Sequence, residues 1–296
     1  MIPVLRDAGL SALLDAGEAV VLLASGFQFT EGPLDLADGS LLFQDLKAER
    51  THRLAPDGTV QTLRESTGAA NGQTFGPDGL IYFCEQNGRR VSRMRPDGSG
   101  VETVVEAWRR KRLNSPNDII ARSDGRLVFT DPPYGVAPAD KALDFQGVYA
   151  LDPSGGLDLL LDDFEKPNGL AFSPDERTLY VCDTARYHVR AFDVDLGGRP
   201  VAASGRVFAT QDPARPGGPD GMKVDRDGRV YVAVAEGVWV YAPDGSPLGI
   251  LGLPERPSNL AWRGPDGSSM AITAVDKVYQ VRLGARGVLP PWRPSA

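Results

Sequence analysis

The chain is short of the residues on which most acid–base and nucleophilic catalysis depends. Its 296 residues include two histidines and two cysteines. His52 and His188 fall in expected third strands of their repeats, away from any central site, so a Ser-His-acid triad is excluded. HExxH, Cys/His zinc spacings, phosphate loops and dinucleotide glycine fingerprints are all missing. Charge gives no patch of one sign: 32 Lys and Arg against 39 Asp and Glu leave a net −7, with a single basic cluster, RRKR at 109–112. Nucleic acid, which requires clustered cations, is therefore not an expected partner. The longest apolar runs, 19–24 and 247–253, are too short to span a bilayer, so no membrane partner is expected either. Arg6, Asp7 and Asp15 stand where a signal peptide needs an apolar core, which predicts a cytoplasmic protein. Cys84 and Cys182 occupy near-equivalent places in repeats two and four, too far apart for a disulfide. They read as buried small hydrophobes in a reducing compartment.

What the chain does have is one hairpin, repeated. KPNGLAFSPDERTLYVCDT at 166–184 runs from Asn168 through Leu170 and Phe172 to a Ser-Pro-Asp turn. It returns through Leu179, Tyr180, Val181 and Cys182, a run suited to a half-buried strand. Pro pre-sets φ in the turn and Asp can cap it with its own side chain. The turn acid and returning strand recur at Asp38, Asp78, Asp124, Asp175, Asp227 and Asp266, at intervals of 40, 46, 51, 52 and 39 residues. Each interval has room for four short strands and no long helix, which predicts an all-β, six-bladed β-propeller with four-stranded blades. The last repeat holds only three strands' worth of sequence. A strand at 18–24 would complete that blade and close the ring. The expected organisation is one domain over 1–296, with a lead-in at 1–17 containing a helical turn around Leu10 and a surface tail at 286–296.

Seven residues before each turn acid stand Glu31, Asn71, Asn117, Asn168, Asp220 and Asn259. All six carry a carboxylate or carboxamide, and the chain has only six asparagines in total, four of them here. Since first strands line a propeller's channel, these side chains should form a ring of oxygens at one mouth. Oxygen-only ligation suits a hard divalent cation, Ca²⁺ first, with Mg²⁺, Mn²⁺ or Zn²⁺ as alternatives. Glu31 and Asp220 would balance its charge.

Several longer motifs resemble one family. TEGP at 30–33, ANGQTFGPDG at 70–79, RLNSPND at 112–118, FTDPPYG at 129–135, KPNG at 166–169 and PDGMKVD at 219–225 are similar to the gluconolactonase branch of the family that includes regucalcin (senescence marker protein) and luciferin-regenerating enzyme. The chain departs from the usual pattern at Leu34-Asp35-Leu36, where an aromatic is common, and at Gln86, where relatives often have His. The resemblance implies a six-bladed propeller that binds one divalent cation and hydrolyses sugar lactones. It also implies Glu31, Asn168 and Asp220 as cation ligands and Asn117 as a ligand or substrate contact.

Around the ring, the long third-repeat connection at 132–147 should reach the same mouth, with Tyr134 and Phe145 as wall residues. Asn71 and Arg112 are further candidate substrate contacts. Glu85, Asp131 and Asp183 end second strands on the ring face and could either orient ring groups or cap turns. With no histidine at hand, Asp220 is the candidate general base for water attacking the lactone. A phosphotriesterase-like hydrolase on the same ring, or a non-catalytic module with a structural ion, are the competing readings.

Overall fold

The computed structural model describes residues 19–294 apart from Pro216, together with Leu10 and Leu13 ahead of them. Six antiparallel four-stranded sheets follow one another along the chain as the blades of a six-bladed β-propeller. Blade one runs from Thr30–Asp35 to Val60–Glu65 and blade two from Ala70–Phe75 to Glu102–Val105. Blade three spans Ile119–Ala121 to Leu157–Phe164, blade four Pro167–Phe172 to Arg206–Thr210, and blade five Met222–Val224 to Pro247–Gly252. Blade six takes three strands from Pro257–Arg263 to Lys277–Arg282, and Val21–Ser25 pairs antiparallel on its outer edge. The N-terminal strand thus closes the ring as expected, covering an edge that would otherwise be free to pair with another chain.

Local turn chemistry explains why the blades form where they do. In five repeats the turn acid caps its own turn: Asp38, Asp78, Asp124, Asp175 and Asp266 each accept the N–H two residues on at 3.0 to 3.1 Å. In blade five Asp225 does this instead of Asp227, accepting from Asp227 N at 3.0 Å and Arg229 N at 2.9 Å. The second strands are buried on both faces, and their apolar side chains pack between neighbouring blades. Val128, Val148, Leu170, Val181 and Phe192 join blades three and four in this way. Both cysteines are buried and free, and both histidines lie in third strands.

Of two peripheral expectations, the helical turn around Leu10 lies mostly outside the described residues, and the surface tail is altered by the structure. Of the lead-in, only Leu10 and Leu13 lie among the described residues; both are buried against blades five and six. The tail is not a simple surface segment. Val288 N donates to Val224 O at 3.1 Å, Trp292 Nε1 to Arg122 O at 2.9 Å and Arg293 Nη2 to Asp35 Oδ2 at 2.6 Å. These anchors sit at the far ends of first strands in blades five, three and one. The tail therefore crosses the mouth opposite the ring, and Leu289 and Pro290 roof a cavity of about 280 Å³ there. Its prolines cannot extend a strand ladder, but they leave the chain free to cross the mouth at an angle to the blades.

Candidate functional site

Each ring residue interrupts a first strand. In blades one, two, four and six the register with the second strand shifts at the ring position, between Glu31 and Leu34, Ala70 and Gln73, Pro167 and Leu170, and Pro257 and Asn259. In blades three and five the first strand begins only after it, at Ile119 and Met222. Irregularities of this kind re-aim a side chain, and here they release it into the channel mouth. A glycine follows the ring residue in four blades, because neighbouring backbones meet at that point. A Cβ on Gly169 would lie 2.3 Å from Asp220 O, and one on Gly32, whose φ is +48°, 2.1 Å from Asn71 O. Gly72 N and Gly221 N donate across blades to Asn117 O and Ser258 O, both at 2.8 Å. The ring is thus tied together by main chain as well as by side chains.

The strand-ending acids hold the segments that lead into it. Asp45 accepts from Gln28 N and Phe29 N at 2.9 and 3.0 Å, just before Glu31. Asp131 accepts from Asn114 N and Ser115 N at 2.8 and 2.7 Å, before Asn117. Asp183 accepts from Glu165 N and Lys166 N at 2.9 and 3.0 Å, before Asn168. The same two-pronged clamp appears three times, so for Asp131 and Asp183 orienting the ring and capping the backbone are one function. Burial pushes the Asp131 carboxyl up to about 7, against the pull of its two N–H partners. Glu85 is engaged differently, with Ser92 Oγ and Arg90 Nε. Asp183→Ala would strand two N–H donors in a buried site at about 1–3 kcal/mol each. We therefore expect a loss of about 2–6 kcal/mol in urea unfolding, roughly halved in Asp183→Asn, which keeps one acceptor.

The mouth opens into a pocket of about 560 Å³, and Glu31, Asn71, Asn117, Asn168 and Asp220 all line it. Tyr134 lines it too. The sixth ring member has a different place: Asn259 Nδ2 donates to Glu31 Oε2 at 3.1 Å, beside Gly32 N at 2.9 Å. Asn259 is thus a support for Glu31. Arg112 does not line the pocket. Its strand, Lys111–Arg112, pairs with Ala107–Trp108 in a small outer hairpin, where Arg112 Nη2 donates to Gly88 O at 3.1 Å. Phe145 packs edge-on against Trp108, 5.6 Å between centroids, in the core of blades two and three. Both were expected at the mouth; the outer hairpin takes both away from it.

The electrostatics of the pocket centre on two carboxylates. Burial, then the Asp220 charge, raises Glu31 well above the usual carboxylate range. Burial likewise pushes Asp220 up to about 6, while Arg256, 3.4 Å from its Oδ2, pulls the other way. Asn168 Nδ2 is committed to Tyr134 Oη at 3.3 Å and Thr184 Oγ1 at 3.0 Å, so its carbonyl oxygen is the atom left for a further partner. The Tyr134 residue is 39% exposed, yet its hydroxyl end sits among Asn168 and Asp220, and burial pushes the phenol up to about 12. Next to the ring, Asp118 stands where four other blades have glycine. Its Oδ1 accepts Ile119 N at 2.9 Å and its buried Oδ2 has no partner.

Sequence reasoning missed Lys47, Lys166, Thr184 and Arg256 at this mouth. No periodic signal marks them. The glycine after the ring residue, in contrast, was a readable sign of the interrupted strands.

The SMP-30/gluconolactonase/LRE-like family model matches residues 29–276. A gluconolactonase of Zymomonas mobilis is 34% identical, covering 94% of this chain and 85% of that protein. A solved gluconolactonase from Xanthomonas campestris superposes with a TM-score of 0.87 at 34% identity, covering 96% of this chain and 95% of that one. A calcium-binding regucalcin from Agrobacterium tumefaciens shares the fold, with a TM-score of 0.79 at 20% identity over 94% of this chain and 98% of that one. This chain belongs to the SMP-30/gluconolactonase/LRE-like family.

Proposed function

We propose that the protein hydrolyses a sugar lactone of the aldonolactone class to its aldonic acid, using a divalent cation held by Glu31, Asn168 and Asp220. The observation that carries this reading is two buried carboxylates, Glu31 and Asp220, that line one open pocket, where the Asp220 charge adds to burial in raising Glu31. A cation there would relieve that repulsion. The available donors fit a hard ion: two carboxylates and the free carbonyl oxygen of Asn168, with the Asn117 amide alongside. Calcium is the favoured ion, because oxygen ligands suit it and the Agrobacterium relative of this fold is a calcium-binding protein. When bound, such a cation supplies Lewis-acid polarisation of an ester carbonyl.

The chain's own groups account for the rest. Asp220 lines the pocket and acts as general base, taking a proton from the water whose oxygen bonds to the lactone carbon. The ring C–O bond then breaks; the leaving oxygen gains a proton to become a hydroxyl, and the carbon becomes a carboxylic acid. Tyr134 keeps its proton at neutral pH and can donate to a substrate hydroxyl. Asn71 and Asn117 offer both donors and acceptors to a polyhydroxy ring. An open pocket above the ring supports catalysis over a purely structural ion.

The test is proton release from glucono-δ-lactone under a pH-stat, with chelator and then added Ca²⁺, Mg²⁺ or Mn²⁺. Activity should vanish with chelator and return with one of these ions. An undiminished rate in chelator would sink the cation-dependent reading.

A further inference from the structure

We propose that the preferred substrate is a lactone carrying a second, anionic group — a phosphate or carboxylate away from the ester — recognised by Lys47 and Lys166 at the pocket rim. The inference rests on the lactonase reading above and narrows its substrate class.

Lys47, Lys166 and Arg256 line the same pocket as the ring, and among the described residues the carboxylates lining it are Glu31 and Asp220. Those two are at the floor, where the cation site lies, and Arg256 is already paired with Asp220. The two lysines are different. Neither forms an ion pair among the described residues, although nearby cations do. Arg186 pairs with Glu165 and Asp183, and Lys277 with Glu255 and Asp276. Each lysine is instead seated over an aromatic ring of the same pocket: Lys47 Nζ is 5.1 Å from the Phe29 centroid and Lys166 Nζ 5.6 Å from that of Tyr134. A cation over a ring face keeps its position and all three of its N–H donors without a neutralising partner.

The setting strengthens the argument. The protein as a whole is acidic, at net −7, so a rim with two unopposed ammonium groups runs against the average of its surface. Lys47 lies in the loop between the second and third strands of blade one, and Lys166 enters blade four; these blades face each other across a ring of six. A sugar lactone lying over the cation site thus shares its pocket with both ammonium groups. A neutral aldonolactone has no use for them, whereas a phosphate or carboxylate gains a charge-assisted contact and faster, salt-sensitive capture.

The experiment compares glucono-δ-lactone, glucaro-1,4-lactone and 6-phosphoglucono-δ-lactone at saturating cation, in wild type, Lys47→Met, Lys166→Met and the double variant. One or both anionic lactones should show a kcat/KM about tenfold or more above the neutral one, the size of one good charge-assisted contact. Whichever of the two is preferred identifies the anion as phosphate or carboxylate. The advantage should shrink as salt is raised, and the double variant should remove most of it through KM. A binding arm is independent of turnover: calorimetry should show 6-phosphogluconate or glucarate binding more tightly than gluconate, with the difference lost in the double variant. Equal kcat/KM for neutral and anionic lactones, or equal losses on both in the variants, overturns the substrate class while leaving the lactonase intact. If no lactone is turned over and the acids also bind alike, both readings fall.

Discussion

Asp220→Asn should lower lactone kcat by about 10²–10⁴-fold even at saturating cation, the usual size of a general-base contribution. The substitution keeps the size and one acceptor oxygen but removes the proton-accepting charge. Glu31→Gln is the matched control. Glu31 lies beside the same cation site, held by Gly32 N and Asn259 Nδ2, and is assigned no proton-transfer step. Its loss should weaken cation affinity and be largely repaired by excess ion. Arg256 remains beside residue 220 in both variants, so the comparison isolates the carboxylate. Titrating Ca²⁺ against rate for both variants at fixed pH gives the answer. Equal rescue of the two would take the proton abstraction away from Asp220 and leave it a ligand only.

Cation affinity should fall steeply as the solution is acidified. In the cation-free protein, burial and neighbouring carboxylates push Asp220 up to about 6 and Glu31 well above its usual range. A raised folded-state pKa means that the neutral form is favoured. Below about pH 6 an incoming ion must therefore displace at least one proton, and affinity drops about tenfold per pH unit for each proton displaced. From about pH 7 to about pH 5 we expect a loss of at least tenfold in calorimetric Kd, approaching a hundredfold if both carboxyls participate. Linkage gives the matching sign for stability. Each raised carboxyl contributes stability that is fully present below its unfolded pKa and lost as pH rises through its folded one. The cation-free protein should lose that contribution on going from about pH 4 to neutrality. The increment in Tm on adding cation should grow over the same interval. An affinity that stays flat across this range would show that neither carboxylate binds the ion.

The candidate site was legible to an unusual depth because its signal is local. A turn acid and a ring oxygen seven residues earlier belong to one hairpin, so their spacing survives whatever the rest of the chain does. Asp131 and Asp183 were also within reach, since each ends the second strand of the hairpin whose entry it holds. Arg112 and Phe145 show where such reasoning stops. Both precede or follow ring motifs closely in sequence, yet the Ala107–Trp108 and Lys111–Arg112 hairpin carries one outward and packs the other against Trp108.

Sequence alone determined the six blades, the closing N-terminal strand and the identity of the ring residues, through strand alternation and turn chemistry that operate within about twenty residues. Only the tertiary structure decided how those residues divide their work. Asn259 serves Glu31 from 228 positions away, a contact that exists because blade six meets blade one when the propeller closes. The tail from Val288 to Arg293 crosses to blades three and one for the same reason. Lys47, Lys166 and Arg256 come to one mouth from three blades, each from a loop whose own sequence has no periodicity to read. Contacts between blades depend on where rigid sheets meet, and that is a property of the closed ring that no single repeat contains.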